Sequence, residues 1–280
     1  MFQVGNRNRE EGNTEALWVW QFAYYIQGGA VNAHTRAHHQ GRYMDINIDG
    51  VVPLQITYDR GGRGKSYTAP TKFAIDIYND PNDDRGSNYI LRKFCILRDA
   101  EGNSPYNADK LPPGYQYGDT IWFDWTNDLS PETWKQPSWP YSRKIEGTDP
   151  NNVTMSPNFE DYIALRLADT YLLKAEAEYL LGRPEDAAET INVIRRRSNA
   201  GDITAADVDI DFILDERSRE LFIEEHRRYT LLRTGKWYER TKAHNHFGGE
   251  NIILRDTLFP IPQVVIDANL TKPMPQNPGF

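Results

Sequence analysis

Residues able to do chemistry are concentrated in two stretches of this 280-residue chain. Between 115 and 143, Trp122, Trp125, Trp134 and Trp139 stand among Tyr115, Tyr117 and Tyr141, with Asp124, Asn127 and Arg143 close by. A sugar ring has one apolar C–H face. An indole or phenol offers it a flat surface, and neighbouring carboxylate, amide or guanidinium groups can reach its hydroxyls. The same tryptophans could instead pin loops to a scaffold, because Trp is usually well buried. The second stretch, 27–65, follows Tyr25 and carries Asn32, His34, Arg36, His38, His39, Arg42, Tyr43, Tyr58 and Arg60. Arginines, neutral histidines and tyrosines suit a polyhydroxylated or acidic ligand; a mobile surface loop is the plain alternative. The candidate ligand-binding set is Tyr25, Asn32, His34, Arg36, His38, Tyr43, Tyr58, Arg60, Trp122 and Trp125.

Other patterns are weaker. His34 and His38 are four apart and could share a zinc ion on a helix, but glycines flank them and no third ligand is evident. His244 and His246 suit a helix-end loop. Asp45, Asn47, Asp49 and Gly50 open like a calcium loop, yet Ile56 stands where its bidentate glutamate belongs. The alternation around them favours a turn between strands, so calcium stays open as the one cofactor and no other is expected. Glycoside chemistry would need two carboxyls about 5–9 Å apart across a cleft, and Asp119, Asp124 and Asp128 are the aromatic-flanked candidates. G-x-S-x-G, P-loop, dinucleotide-binding and C-x-x-C patterns are missing. The expectation is a binding protein with no catalytic residues.

Two regions must position these groups. The formal charge of −8 and pI near 5.3 disfavour nucleic acid and anionic membranes as partners. A single cysteine, Cys95, precludes an internal disulfide. The opening residues lack an apolar leader pattern, and no long apolar run suggests a membrane span. Residues 1–157 read as a loop-rich, ligand-facing region: a strand at 17–20 with one packed face, a short helix capped by Thr71 and running to about Tyr78, and a strand candidate at 89–97. Residues 158–280 read as a helical scaffold, continuous with the first region. Leu165, Ala168, Leu172, Ala175 and Tyr179 form a helical stripe, Gly182 can stop it, and Pro184 can start the next helix, with Ala187, Ala188, Ile191 and Ile194. Such a hairpin is like one tetratricopeptide unit and needs neighbours to bury its faces. In "ERSRELFIEEHRRYTLLR" (216–233), charges intrude on a stripe of Leu214, Leu221, Phe222, Tyr229 and Leu232. They are expected to form buried structural ion pairs, with Glu216 reaching Arg219 and Glu224 reaching Arg228. Five prolines from Pro260 to Pro278 make the tail an extended strap expected to pack across the helices.

The chain resembles the SusD/RagB family of outer-membrane nutrient-binding lipoproteins. The resemblance rests on "LRLADTYLLKAEAEYLLG" (165–182), "INVIRRRSNA" (191–200), "LDERSRELFIEEHRRYTLLRTGKW" (214–237) and the ending "LFPIPQVVIDANLTKPMPQNPGF" (258–280), in that order. "NTEALWVWQF" (13–22) and "APTKFAIDIYNDPNDDR" (69–85) are similar to upstream stretches of the family. Arg228-Tyr229-Thr230-Leu231-Leu232 departs from the family pattern by losing an aspartate. Members are typically about twice as long, with a lipoprotein signal and further helices in their first half, so the chain looks like a C-terminal portion. The resemblance implies a mainly α fold with long irregular loops, a few short strands, a tetratricopeptide-type hairpin and a C-terminal strap. It also implies a non-enzymatic, lipid-anchored protein on the outer-membrane surface. Such a protein captures oligosaccharide in a shallow aromatic-lined site and delivers it to a SusC-like TonB-dependent transporter. Loops such as 27–65 shape the binding surface in that family. The alternatives are a glycoside-active enzyme and a tetratricopeptide-type protein-binding scaffold.

Overall fold

A computed structural model describes residues 6–280 apart from 24, 29–34, 101–107, 131, 134–135, 150 and 156–157. The chain forms two compact units, Met1–Glu225 and His226–Phe280. It is mostly helical, with eight α-helices and a few short strands among the described residues.

In the first unit the long helices carry the scaffold. Strand β6 (Tyr162–Arg166) runs directly into α3 (Leu167–Leu180), which pairs with α4 (Pro184–Arg197). The expected hairpin is present, but its first helix starts two residues later than the apolar stripe suggests, because Leu165 belongs to the strand. Gly182 takes φ +71° and reverses the chain, and Arg183 N–H closes the end on Glu178 C=O at 3.0 Å. Glu185 and Asp186 lie in the first turn of α4 and Arg195, Arg196 and Arg197 in its last, each sign at the favourable end of the helix dipole. Small residues bring the axes together: Ala168, Leu172 and Ala175 meet Ala187, Ala188, Ile191 and Ile194 in one buried cluster. The neighbour the hairpin requires is α5 (Ile210–Glu220), capped by Asp209 accepting Phe212 N–H at 2.7 Å and contributing Ile213 to the same core.

The stripe from Leu214 to Leu232 is not one helix. It stops at Glu220, and Ile223 takes φ +64° before a separate helix begins in the second unit. Leu214 and Leu221 are buried while Tyr229 is exposed. Glu224 is therefore unavailable for the expected helical pair with Arg228; it accepts from Lys144 at 2.8 Å and also pairs with Arg166. The Glu216–Arg219 pair does form, at 2.9 Å.

Short antiparallel ribbons frame the loops: β1 (Ala16–Trp20) with β6, β2 (Leu91–Arg92) with β5 (Tyr141–Ser142), and β3 (Phe94–Ile96) with β4 (Thr120–Trp122). Trp18 and Trp20 do not pack into a core. Both are exposed, edge-on to each other at 6.3 Å, with Trp20 against Tyr162 at 5.7 Å. Two further helices are short, α1 (Thr35–His39) and α2 (Lys72–Asp76). Thr71 caps α2 as its sequence suggests, but Tyr78 lies beyond the helix and donates its hydroxyl to Arg219 C=O at 3.0 Å. A second core joins Tyr43, Ile46, Leu54, Cys95, Leu97, Ile121, Phe123 and Tyr141, and a third joins Ile75, Leu91, Leu129 and Trp139.

The second unit holds α6 (Arg227–Arg233), α7 (Trp237–His244) and α8 (Gln263–Ala268). The Arg228 guanidinium lies 4.3 Å from the Trp237 ring centroid and 4.5 Å from that of Phe259, tying the strap to the helices. Within the strap, Gln276 accepts Ile261 N–H at 2.7 Å and donates to Ile261 C=O at 2.8 Å. Side chains thus replace the backbone pairing that a proline-rich segment cannot make.

Candidate functional site

The loop after β1 is built around close backbone approaches. Lys65 N–H donates to Ala37 C=O at 2.7 Å, Ser66 N–H to Gln40 C=O at 3.0 Å, and Thr68 N–H to His38 C=O at 3.0 Å. Gly64 permits this, since a Cβ there would stand 2.2 Å from Gly41 C=O. Gln40 donates to Arg60 C=O and Gly62 C=O at 2.8 and 3.1 Å, fixing the far side of the loop. The result is a small ring platform. Tyr67 is 61% exposed, with the His38 ring 5.0 Å away and Lys65 Nζ 5.7 Å from its centroid. His39, behind it, shares a hydrogen bond with Thr68 Oγ1 at 2.9 Å. Burial, with help from neighbouring His38, lowers the His39 pKa to about 4, so its imidazole is neutral at pH 7.

A second platform sits on the β3–β4 hairpin. Trp122 is 63% exposed and rests against Phe94 at 4.7 Å, tilted 54°. Tyr25 is also exposed; its ring meets Phe159 at 5.1 Å and its hydroxyl bonds to the Asp149 carboxylate. Trp125 is half-buried and bridges two of the cores, with Lys93 over its ring at 5.9 Å.

Tyr43 and Arg60 belong to the interior and present nothing to a ligand. Tyr43 is sealed in the second core and donates to Gly62 C=O at 2.8 Å. Arg60 is clamped by Asp109 at 2.7 and 2.5 Å and by Ile96 C=O at 2.9 Å. An arginine in a glycine-rich loop looks like a ligand contact, but here it holds the loop to the β3 region. Asn32, His34, Trp134 and the side chain of Arg36 lie outside the described residues.

The residues of the calcium-like pattern have other partners. Asn47 Oδ1 accepts Gly50 N–H at 2.8 Å in a turn bridged by Ile48 and Val51, and Asp45 pairs with Arg42. The three candidate acids accept backbone N–H groups: Asp119 and Asp124 cap turns, accepting Gln116 N–H and Thr126 N–H at 2.9 Å each, and Asp128 accepts the N–H of Lys72, the first residue of α2, at 3.1 Å. The bond from Thr126 lowers the Asp124 pKa, opposite to what a general acid needs.

Tyr58 leads to a different feature. It lines a cleft of 1040 Å³ whose walls include Arg85, Tyr89, Arg143, Lys144, Arg197 and Glu220. Behind these walls runs a buried ionic network. Arg85 donates to Asp83, to Glu216 at 2.8 Å and to Glu220 at 3.1 Å. Glu216 also accepts from Arg195 at 3.0 Å. Glu220 further receives Arg166 and Arg197, each at 2.6 Å. Burial alone would raise both glutamate pKa values. For Glu216 the cations Arg85, Arg219 and Arg195 outweigh it, and for Glu220 Arg166, Arg197, Lys144 and Arg85 do so, so both carboxyls stay below their usual range. Lys144 is itself lowered by burial.

The SusD family model matches residues 19–280, nearly the whole chain. The chain belongs to the SusD family. A SusD-like protein from Formosa agariphila is 38% identical over 238 residues, covering 83% of this chain and 42% of that relative. The starch-binding protein SusD of Bacteroides thetaiotaomicron is 32% identical over 124 residues, 43% of this chain and 22% of that protein. Among solved structures, a surface glycan-binding protein A from Bacteroides fluxus superposes with a TM-score of 0.57 at 21% identity, over 98% of this chain and 52% of that one, a likeness of fold. The chain thus spans less than half the length of these curated SusD relatives.

For this SusD-family chain, the sequence candidates Trp122 and His38 stand at the exposed ring platforms and Tyr58 and Arg143 line the cleft; Tyr67 and Tyr89, outside the candidate set, stand beside them. Tyr67 stands alone in turn-rich surroundings, "GKSYTAP", whereas Tyr89 opens the apolar run that reads as a strand, "GSNYIL". A tyrosine between turn residues has no apolar neighbours to draw it inward, which is the signal available for Tyr67; Tyr89, beside Ile90 and Leu91, carries none.

Proposed function

We propose that this chain forms the glycan-contacting part of a cell-surface nutrient-binding protein, lipid-anchored at the outer membrane. It captures oligosaccharide and passes it to a SusC-like TonB-dependent transporter without making or breaking bonds. The observation that carries the proposal is the pair of exposed, backed rings, Tyr67 beside His38 and Trp122 on Phe94. Backing by a second ring sets the orientation of each while a large part stays open to solvent. A sugar's C–H face can stack there without the loop first having to order itself. Family membership and the starch-binding relative support a saccharide over other flat ligands. The non-catalytic assignment is supported by the backbone N–H groups that Asp119, Asp124 and Asp128 accept. No helix among the described residues is long and apolar enough to cross a membrane.

The test is calorimetric titration of the 280-residue chain with a panel of neutral and acidic oligosaccharides. Binding is expected, and Trp122→Ala or Tyr67→Ala should weaken it by about threefold to tenfold, the range for one stacked ring. Measurable hydrolysis of a bound glycan, or binding indifferent to both substitutions, would overturn the proposal.

A further inference from the structure

The cleft contains a charge pattern that the surface rings do not explain. Its walls carry four carboxylates, Asp59, Asp84, Glu146 and Glu220, and four cations, Arg85, Arg143, Lys144 and Arg197. These charges largely cancel inside the protein. Arg85 is held through Nε, Nη1 and Nη2 by Asp83, Glu216 and Glu220. Glu146 receives Arg92 at 2.9 Å and Arg143 at 2.7 Å, and Asp59 accepts from Thr57 and pairs with Arg98. Lys144 donates to Glu220 C=O at 2.5 Å and to Glu224 at 2.8 Å. An anionic ligand would find no surplus cation here. A metal ion would have to pull a carboxylate away from an arginine, and no group of three or more metal-ligating side chains occurs among the described residues.

What the walls retain is hydrogen-bonding capacity of both kinds beside a flat ring. Arg143 bonds through Nε to Glu146 and through Nη1 to Asn88 C=O at 3.3 Å, leaving Nη2 without a hydrogen-bond partner among the described residues. Asp84 accepts Asn199 on Oδ2 at 2.6 Å and no side-chain or backbone donor on Oδ1 among the described residues. Tyr89 is 56% exposed, with the Arg143 guanidinium 5.6 Å from its ring centroid. A sugar hydroxyl both accepts and donates, so it suits a wall offering one guanidinium N–H and one carboxylate oxygen. The tyrosine ring suits the C–H face. The volume of 1040 Å³ exceeds what one monosaccharide needs and lies at the upper end of small-ligand pockets, about 300–1,000 Å³.

We infer that this cleft is a second saccharide site that takes a neutral pyranose segment through Tyr89, Arg143 and Asp84, separate from the exposed rings of Tyr67 and Trp122. The inference rests on the glycan-capture reading and goes beyond it in naming a separate pocket and an uncharged sugar.

The experiment titrates the 280-residue chain calorimetrically with maltohexaose, cellohexaose and hexagalacturonate. The expected result is two classes of site for at least one neutral hexasaccharide. Tyr89→Ala alters an exposed ring, and Arg143→Lys keeps the positive charge beside Glu146, so both variants should fold. Each should weaken one and the same class by about threefold to tenfold, the range for one lost stack or one lost hydrogen bond. Trp122→Ala and Tyr67→Ala should weaken the other class. A single class that only the Trp122 and Tyr67 variants weaken would overturn the second site and leave capture standing. Failure of the parent chain to bind any of the three would sink both. Preferential binding of hexagalacturonate, lost in Arg143→Lys, would overturn the uncharged-sugar assignment, and so would competition by an unrelated peptide at the Tyr89-dependent site.

Discussion

Arg166 Nη1 meets Glu220 Oε1 at 2.6 Å, and the two side chains are 1% and 2% exposed. The arginine is the last residue of β6 and the glutamate the last of α5, so this one contact pins a strand end to a helix end. Because Glu220 also serves Arg85 and Arg197, three separate segments converge on one carboxylate.

Glu220→Ala should therefore destabilise the first unit by about 3–5 kcal/mol, the usual consequence of leaving buried cations unpaired. Urea unfolding followed by tryptophan fluorescence would measure it. A loss below about 1 kcal/mol would mean that water reaches the network.

The pH dependence has a definite sign. Burial holds the folded-state pKa of His39 at about 4 against an ordinary 6.5, so between these values the unfolded chain binds more protons than the folded one. Stability from this group is complete above pH 6.5 and is lost as pH falls towards 4. Glu216 and Glu220, held below their ordinary 4.5, act in the same direction but only at lower pH. The midpoint of thermal unfolding should fall on acidification from pH 7 to pH 5, and His39→Gln should flatten that slope. An unchanged slope in the variant would assign the effect elsewhere.

Gly64→Ala tests the loop platform. The added Cβ would stand 2.2 Å from Gly41 C=O and 2.5 Å from Gln40 C=O, and backbone atoms cannot swing aside as a side chain can. The expected outcome is loss of saccharide binding together with a stability loss of about 1–3 kcal/mol. Gly114→Ala, where no atom lies within 4 Å but φ is +81°, provides a comparison in which strain arises without collision.

Cys95 should be inert in the folded chain. Its thiol is buried in the second core, and burial raises its pKa above the ordinary value despite nearby Arg92 and Arg60. Iodoacetamide should modify it only after urea unfolding. Modification of the native chain at a rate near that of a free thiol would show that this core opens readily.

How much of this was legible follows physical range. The hairpin was readable because its determinants are local: small and apolar residues at helical spacing, Gly182 to stop, Pro184 to start. The crowding of charge in 216–233 correctly signalled buried ion pairs, yet the partners could not be read. Arg85 and Glu216 are 131 residues apart, and spacing says nothing across that distance. The break at Ile223 was illegible for the same reason. The pull of Lys144 and Arg166 on Glu224, and of Arg217 on Glu225, offsets a helix continuation that local propensity favours. Tyr43 and Arg60 misled because residue type cannot tell a ligand contact from a loop clamp; only burial separates them.

Among the described residues, the strands of the first unit pair two by two, β1 with β6, β2 with β5 and β3 with β4. In a continuous sheet an inserted residue shifts the register of every strand beyond it. Here such a slip would be confined to one ribbon, while helices and ion pairs hold the rest. A chain built this way can exchange one loop for another without refolding its neighbours, and on the glycan-capture proposal a change of saccharide then meets a low structural barrier.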